Sequence, residues 1–457
     1  MGKLRFLAAL WAAKLSKPLL RLTHHNGTDF PGALAVKLCP DFLKYIGKPK
    51  KVIAVTGTNG KTTVNNMICD ILEMDGYKFV SNRAGSNILS GVCTALLSSA
   101  TLFGKMPYDL AVLEIDERSA RKIYKHLHPD LMVVTNLFRD SIMRNGHPAY
   151  IADVMTSAIP EDTLLVMNAD DLLADSVSPQ NKRVYFGIDK MESDVTECVN
   201  LINDLQICPV CHDRLVYDYR RYHHIGKAHC PSCGFRSPAS DFLATKVDIP
   251  GKTMTVLERG EPHAYPLIND SIFNIYNMVA VIALLRQMDM PHEKIQRYLA
   301  QTSIVKTRYE RIQTGKVHLT TLLAKEKNAL AVTRNLDYLT QLPGDKEIIF
   351  MCNCLNDQKN WSENVSWMYD CDFEFLNRGN ITRVVCTGPR YLDYALRLEL
   401  AGFPKEKIFT TRREIDSPDL LAFHPGEEIY LLHGVDSWVE EKAVHAKICK
   451  LAQEAAK

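Results

Sequence analysis

The sequence predicts an α/β protein of about three domains, built around a parallel sheet with helices on both faces. Three observations carry that expectation. From Lys51 onward, short runs rich in β-branched residues alternate with helical runs. One junction, Val55-Thr56-Gly57-Thr58-Asn59-Gly60-Lys61-Thr62-Thr63, reads as a strand end, a glycine-bearing loop and a helix start. The length, 457 residues, exceeds what a single hydrophobic core fills.

That junction has the parts of a phosphate-binding turn. The general pattern is G-x-x-x-x-G-K-[ST]; here two residues separate the glycines, so the loop is tighter. Gly57 and Gly60 let backbone N–H groups close on phosphate oxygens, and the positive end of the following helix favours the anion. Lys61 is placed to reach the β- and γ-phosphates, and Thr62 to hold Mg²⁺ through its hydroxyl. The plainer reading is an ordinary strand-to-helix turn with an exposed lysine. It leaves the whole run from Gly57 to Thr63 without a reason.

Composition bounds the rest. The chain is 46% apolar and 24% charged, as in globular proteins, and its net charge of +2 gives no reason to expect nucleic acid. No apolar run approaches the roughly 18 residues of a membrane-spanning helix. Thirteen cysteines in a chain this long are no disulfide framework. Those at Cys39, Cys69, Cys93 and Cys449 stand singly in apolar segments and read as buried thiols of a reducing compartment.

In chain order, Met1 to Leu22 carries Lys3, Arg5, Lys14, Lys17 and Arg21 among leucines, alanines and Trp11. It reads as a basic amphipathic helix that either packs on its own domain or lies on an anionic membrane surface. Its apolar stretch is too short for a secretory signal. His24 to Gly32 is turn chemistry, and Ala33 to Tyr45 is expected to be helical. Strands follow at 52–55, 77–80, 109–117, 131–136, 164–171 and 184–187. The strand at 109–117 ends in Glu114, Asp116 and Glu117. Ligands of open α/β sheets bind outside the carboxyl ends of strands, so this cluster belongs beside the phosphates. At least one of Asp116 and Glu117 is expected to be only a solvated helix start.

Cys208-Pro-Val-Cys211 and Cys230-Pro-Ser-Cys233 are separated by eighteen residues, the spacing of a four-cysteine zinc ribbon. Four thiolates leave no open coordination position, so the zinc is expected to be structural. His223, His224 and His229 lie between the pairs as competing ligands, and a redox role for either pair is the other alternative. Further strands at 242–247 and 252–257 precede a long helix beginning near Phe273. Asn274 and Asn277 share one face at its start, either as capping residues or as ligand contacts. From Thr314 a further α/β domain is expected, with strands at 347–351, 383–388 and 428–432 and a helix from Tyr391 to Ala401. It is expected to be Rossmann-like and three-layered.

The run Gly57 to Thr63 resembles the Mur ligase family, ATP-dependent enzymes that join amino acids to peptidoglycan precursors through an acyl-phosphate. With the cysteine tetrad, and with the segments Lys325 to Ala329, Trp361 to Glu374 and Arg390 to Leu398, the chain resembles the MurT branch, ligase-like subunits that work with a GatD-type glutaminase. The resemblance implies residues 1–48 as an N-terminal helical segment and 49–313 as a central ATP-binding domain. It implies a zinc ribbon inserted at 205–237 and a C-terminal domain at 314–457. It implies ATP contacts at Gly57, Thr58, Asn59, Gly60, Lys61, Thr62, Thr63, Asn136, Asn274 and Arg308, with Mg²⁺ at Thr62 and Glu114.

Two departures accompany it. The segment Asp140 to His147 keeps only Asp140, Arg144 and Gly146 of the wider family's pattern, and Thr307 stands where glycine is usual before Arg308. In the MurT branch an aspartate near Ser362 to Asp372 completes the partner's Cys–His pair. Here that role falls on Asn364, on Asp370, which is preferred, or is lost. The implied activity is amidation of the D-glutamate α-carboxylate of lipid II, with ammonia supplied by the partner, in the cytoplasm, either free or at the membrane's inner face. A stand-alone ligase acting on a soluble precursor and a non-catalytic nucleotide-binding scaffold are the alternatives.

Overall fold

The computed structural model describes residues 2–22, 27–83, 85–139, 147–302, 309–324, 328–351, 355–356, 361–362, 365–434 and 437–456. The chain divides into two compact units. The first takes in Met1–Phe138, Pro148–Val199 and Asn203–Ile304; the second takes in Arg139–His147, Asn200–Ile202 and Val305–Lys457.

The first unit is organised on a nine-stranded sheet. From one edge its strands are Phe79–Ser81, Leu110–Glu114, Lys51–Thr56, Leu131–Val134, Leu164–Asn168, Arg183–Ile188, Phe242–Asp248, Thr253–Glu258 and Glu261–Pro266. The first seven run parallel and the last two are antiparallel additions at the far edge. The central strands read as continuous apolar runs because they are covered on both faces: Ile53, Ala54, Val55, Val112, Leu113, Val133 and Val134 have no measurable exposure. Each large aliphatic side chain so buried contributes about 1.5–3 kcal/mol relative to exposure.

The expected helix from Ala33 to Tyr45 is in fact two, Phe30–Leu38 and Phe42–Tyr45. Pro40 is the reason: it has no N–H to donate, and it bars the residue before it from the helical region. Cys39 accordingly sits at φ −138°, ψ 93°, extended. The helix Gly2–Leu22 buries Phe6, Ala9, Leu10 and Ala13 in the same core as Val52, Val80 and Leu113. Trp11 Nε1 donates to the Leu102 carbonyl at 2.8 Å and Lys14 Nζ to the Ala100 carbonyl at 2.7 Å. The N-terminal helix is therefore fastened to its own domain along one face.

The second unit has a six-stranded sheet in the order Tyr309–Thr314, Val317–Leu323, Glu428–His433, Lys346–Met351, Ile381–Thr387 and Ile408–Thr411. Only the first pair is antiparallel. Alternation along Lys346–Met351 sends Ile348 and Phe350 into one core, with Leu336, Phe373 and Tyr394, and Ile349 and Met351 into another, with Val444 and Ile448. Two apolar faces on one sheet give three layers.

Candidate active site

The glycine loop leaves the strand Lys51–Thr56 and enters the helix Lys61–Met74. Gly57 adopts φ +119° and Gly60 φ +88°, both disfavoured for L side chains. A Cβ on Gly57 would lie 2.3 Å from Thr135 Oγ1, and one on Gly60 would lie 2.4 Å from Asn277 Oδ1. Both glycines are required twice over, by conformation and by space. The N-cap position is Gly60, which has no side chain to cap the helix. Its first-turn N–H groups and its dipole face the loop, an arrangement suited to an anion.

The next strand end shapes the loop. Asn136 Oδ1 accepts from Asn59 N at 3.0 Å and its Nδ2 donates to the Asn59 carbonyl at 2.9 Å. Thr135 Oγ1 donates to the same carbonyl at 2.6 Å. Thr58 Oγ1 accepts from Phe138 N at 2.9 Å. Asn277 Nδ2 donates to Asn274 Oδ1 at 3.3 Å, and Asn274 Nδ2 donates to Asn269 Oδ1 and Ser271 Oγ. Of the two asparagines it is thus Asn277 that abuts the glycine loop, while Asn274 also ties down the start of its own helix.

The carboxylates stand where the parallel register delivers them, with Glu114 opposite Val55. Glu114 Oε1 accepts from Asn87 Nδ2 at 2.8 Å, and its backbone is clamped by both ends of the Asn82 amide. Asp116 and Glu117 are 7% and 5% exposed, so neither is a solvated helix start. Asp116 caps a short 3₁₀ turn by accepting from Arg118 N. Glu117 Oε1 accepts from Lys61 Nζ at 2.7 Å and from Gly57 N at 2.9 Å. Burial opposes the charge on Lys61, but Glu117 opposite outweighs it and its pKa rises. Burial, with Asp116 adding to it, raises that of Glu117. Thr62 is exposed at the helix start and Thr63 is half-buried.

A cavity of about 540 Å³ is lined by Lys37, Ile88, Leu89, Asp116, Arg118 and Lys122. Its lining combines apolar side chains with three cations and the carboxylate of Asp116.

The cysteine pairs converge. Cys208 Sγ lies 3.6 Å from Cys233 Sγ, and Cys211 Sγ lies 3.4 Å from Cys230 Sγ. Each pair sits on a matching turn: Cys208 N donates to the Asp213 carbonyl and Cys230 N to that of Phe235. His212 and Gly234 take positive φ at equivalent places. The histidines are engaged elsewhere. His224 Nε2 meets Asp171 Oδ1 at 3.1 Å and His229 Nδ1 meets Asp218 Oδ1 at 2.9 Å. The hairpin Val216–Tyr222/Ile225–His229 between the pairs also reaches the glycine loop's support, since Tyr222 stacks on Phe138 at 6.0 Å.

Glu258, His263 and His292 also bring three ligand atoms close together. Their arrangement is that of a hydrogen-bonded chain. Tyr265 OH pairs with His292 Nδ1 at 2.6 Å, His292 Nε2 with Glu258 Oε2 at 3.0 Å, and Arg286 Nε already donates to that oxygen. The two imidazoles stack face to face, with ring centroids 3.4 Å apart.

Two family models match the chain: Mur ligase middle domain over residues 55–209 and MurT ligase C-terminal over residues 326–434. A lipid II isoglutaminyl synthase (glutamine-hydrolyzing) subunit MurT from Staphylococcus aureus strain COL is 30% identical over 413 residues, covering 87% of this chain and 88% of that protein. The chain belongs to the MurT family. The MurT of Streptococcus pneumoniae strain ATCC BAA-255/R6 is 28% identical over 392 residues, 84% of this chain and 85% of its own. Among solved structures, a pseudomurein peptide ligase type C from Methanothermus fervidus superposes with TM-score 0.66 at 20% identity, over 90% of this chain and 81% of that one. MurF from Acinetobacter baumannii does so with TM-score 0.61 at 15% identity, over 91% and 80%. The fold is that of the Mur ligases, with mixed sheets. Membership of the MurT family makes the chain a Mur-type ATP-dependent ligase of peptidoglycan biosynthesis.

Two residues that the MurT resemblance singles out, Arg308 and Asn364, lie outside the described residues, as do Lys325 to Lys327 and Asp140 to Gly146. Asp370 ends the 3₁₀ turn Ser366–Asp370 and pairs with Arg139 at 3.2 Å. Its neighbour Asp372 is the buried carboxylate, accepting from Asn200 Nδ2 at 3.0 Å and from Leu201 N. Sequence reasoning missed Glu117 as a site residue. The signal available to it was a run of three carboxylates at one strand end.

Proposed function

We propose that this chain is the ligase subunit that amidates the α-carboxylate of D-glutamate in the lipid II stem peptide, giving D-isoglutamine. The observation that carries the reading is Lys61, at the head of an uncapped helix, facing Glu117, with Glu114 on the adjacent strand end. The MurT relatives, named as subunits of a glutamine-hydrolysing lipid II isoglutaminyl synthase, supply the acceptor and the nitrogen source.

In this reading Gly57 to Thr63, Asn136 and Asn274 bind ATP, with Arg308 added from the family pattern. Mg²⁺, held by Thr62 and Glu114, would neutralise phosphate charge. A carboxylate oxygen of the acceptor attacks the γ-phosphorus and ADP leaves, so that an acyl-phosphate replaces a poor leaving oxygen with a good one. Ammonia then attacks the carbonyl carbon, inorganic phosphate departs, and the surplus proton passes to solvent. The chain's own residues position the partners and neutralise charge. The cavity lined by Asp116 suits the acceptor, with Lys37, Arg118 and Lys122 available to its acidic groups and Ile88 and Leu89 to the rest. Ammonia comes from a separate GatD-like glutaminase, with Asp370 or Asn364 contributed to its catalytic pair.

The same proposal makes the cysteine tetrad a structural zinc site inserted at 205–237 in a central domain at 49–313, between the segments 1–48 and 314–457. A tetrahedral Zn–S₄ centre needs sulfurs about 3.8 Å apart. The observed pairs, at 3.6 and 3.4 Å, fit it, and so do the two matching turns. The chain would work in the cytoplasm.

Lys61→Ala tests the phosphate site. Amidation should fall at least a thousand-fold while the glutaminase still co-purifies; retained amidation would overturn the assignment.

A further inference from the structure

The helix Gly2–Leu22 is apolar on two opposite faces, and the domain covers only one. Phe6, Ala9, Leu10 and Ala13 are buried in the core. On the other side Leu4 is 76% exposed, Trp11 46%, Leu15 66%, Leu19 62% and Leu22 78%. At 3.6 residues per turn Leu4, Trp11, Leu15 and Leu22 fall within about 20° of a common line, with Leu19 beside it. The stripe continues off the helix. Trp11 is bonded to the Leu102 carbonyl, and Leu102 and Phe103 are themselves exposed by 63% and 73%. A contiguous apolar surface of this kind marks a docking face.

Its charge says what docks. Between Gly2 and Leu22 the sequence holds Lys3, Arg5, Lys14, Lys17 and Arg21 and no acidic residue, although the chain as a whole carries only +2. Lys3 and Arg5 are exposed beside the stripe, and Lys105 follows Phe103. Lys14 lies on its flank, bonded to the Ala100 carbonyl, while Lys17 sits on the domain side of the helix, bonded to Ser98. An apolar stripe on a helix whose charged residues are all cations, with a tryptophan in it, matches a helix lying in the plane of an anionic bilayer. No described helix is long and apolar enough to cross a membrane.

We propose that the outer face of Gly2–Leu22, with Leu102 and Phe103, docks on an anionic phospholipid surface. Leu4, Trp11, Leu15, Leu19 and Phe103 enter the acyl boundary, and the exposed Lys3, Arg5 and Lys105 meet lipid phosphates. The inference deepens the proposed function, and rests on it for its purpose: a lipid-linked acceptor is met at the surface where it resides.

The test is co-sedimentation of the full chain, alone and with a glutaminase partner, with phosphatidylglycerol vesicles and with phosphatidylcholine vesicles. Binding is expected to phosphatidylglycerol, to weaken with salt, and to fall at least ten-fold in a Leu15→Glu/Leu19→Glu variant. Both side chains are exposed, so the variant should melt with the wild type. Absent wild-type binding, or equal binding by the variant, would overturn the proposal. So would a variant that loses only self-association or partner binding. A lipid-free muropeptide acceptor separates the two readings. The variant should amidate it at the wild-type rate, whereas vesicle binding without amidation of any acceptor would leave docking standing and overturn the ligase reading alone.

Discussion

Lys61 Nζ and Glu117 Oε1 lie 2.7 Å apart in a pair that is almost wholly buried, and the same carboxylate oxygen also takes the N–H of Gly57. Under the proposed phosphate site, Glu117 would compete with phosphate for two donors, the Lys61 ammonium and the Gly57 N–H.

Glu117→Ala should accordingly destabilise the free protein, by about 3 kcal/mol, because it strands a buried ammonium. ATP·Mg²⁺ supplies the missing anion, so it should raise the melting temperature of the variant by more than it raises that of the wild type. Equal shifts in a thermal melt would show that Glu117 and phosphate do not share these donors.

Cys211→Ser should remove zinc and loosen the hairpin Val216–Tyr222/Ile225–His229. That hairpin meets the P-loop domain through His224 to Asp171 and Tyr222 to Phe138, so nucleotide affinity should fall several-fold as well. Metal analysis of the wild type should find one zinc per chain. None, or an unchanged zinc content in the variant, would contradict the tetrad.

His292 provides a pH signature. Burial, then the neighbouring Arg286 and His263, lowers its pKa below the usual 6.5, while Glu258 and Glu293 pull the other way. The unfolded chain then takes up a proton that the folded chain refuses, so stability should decline as pH falls from 6.5 toward the lowered value. His292→Gln should flatten that part of the curve in denaturant melts at pH 7.5 to 5. An unchanged slope would refute it.

The glycine turn and the cysteine pairs are legible in the sequence because each is short, local and made of residues that have few other uses. Most of the expected strands are legible for the same reason, starting within two residues of their expected places, but those expected at 109–117 and 164–171 end three residues early, and Val317–Leu323 and Ile408–Thr411 are not anticipated. Glu117 is not, since its partner lies 56 positions away and a carboxylate after a strand reads as solvated until the register is known. Nor are the ties of His224 to Asp171 and Tyr222 to Phe138, which depend on how the hairpin lies over the sheet. The break at Cys39-Pro40 was within reach of sequence, because proline alone forbids the continuous helix.

The central claim is tested most directly by mass spectrometry of lipid II after incubation with this chain, ATP, Mg²⁺ and an ammonium salt, and separately with glutamine and a candidate glutaminase. The account predicts a carboxyl-to-carboxamide change with ammonium alone, and with glutamine only when the partner is present. Unchanged lipid II in both arms, with ATP bound and zinc in place, would contradict it.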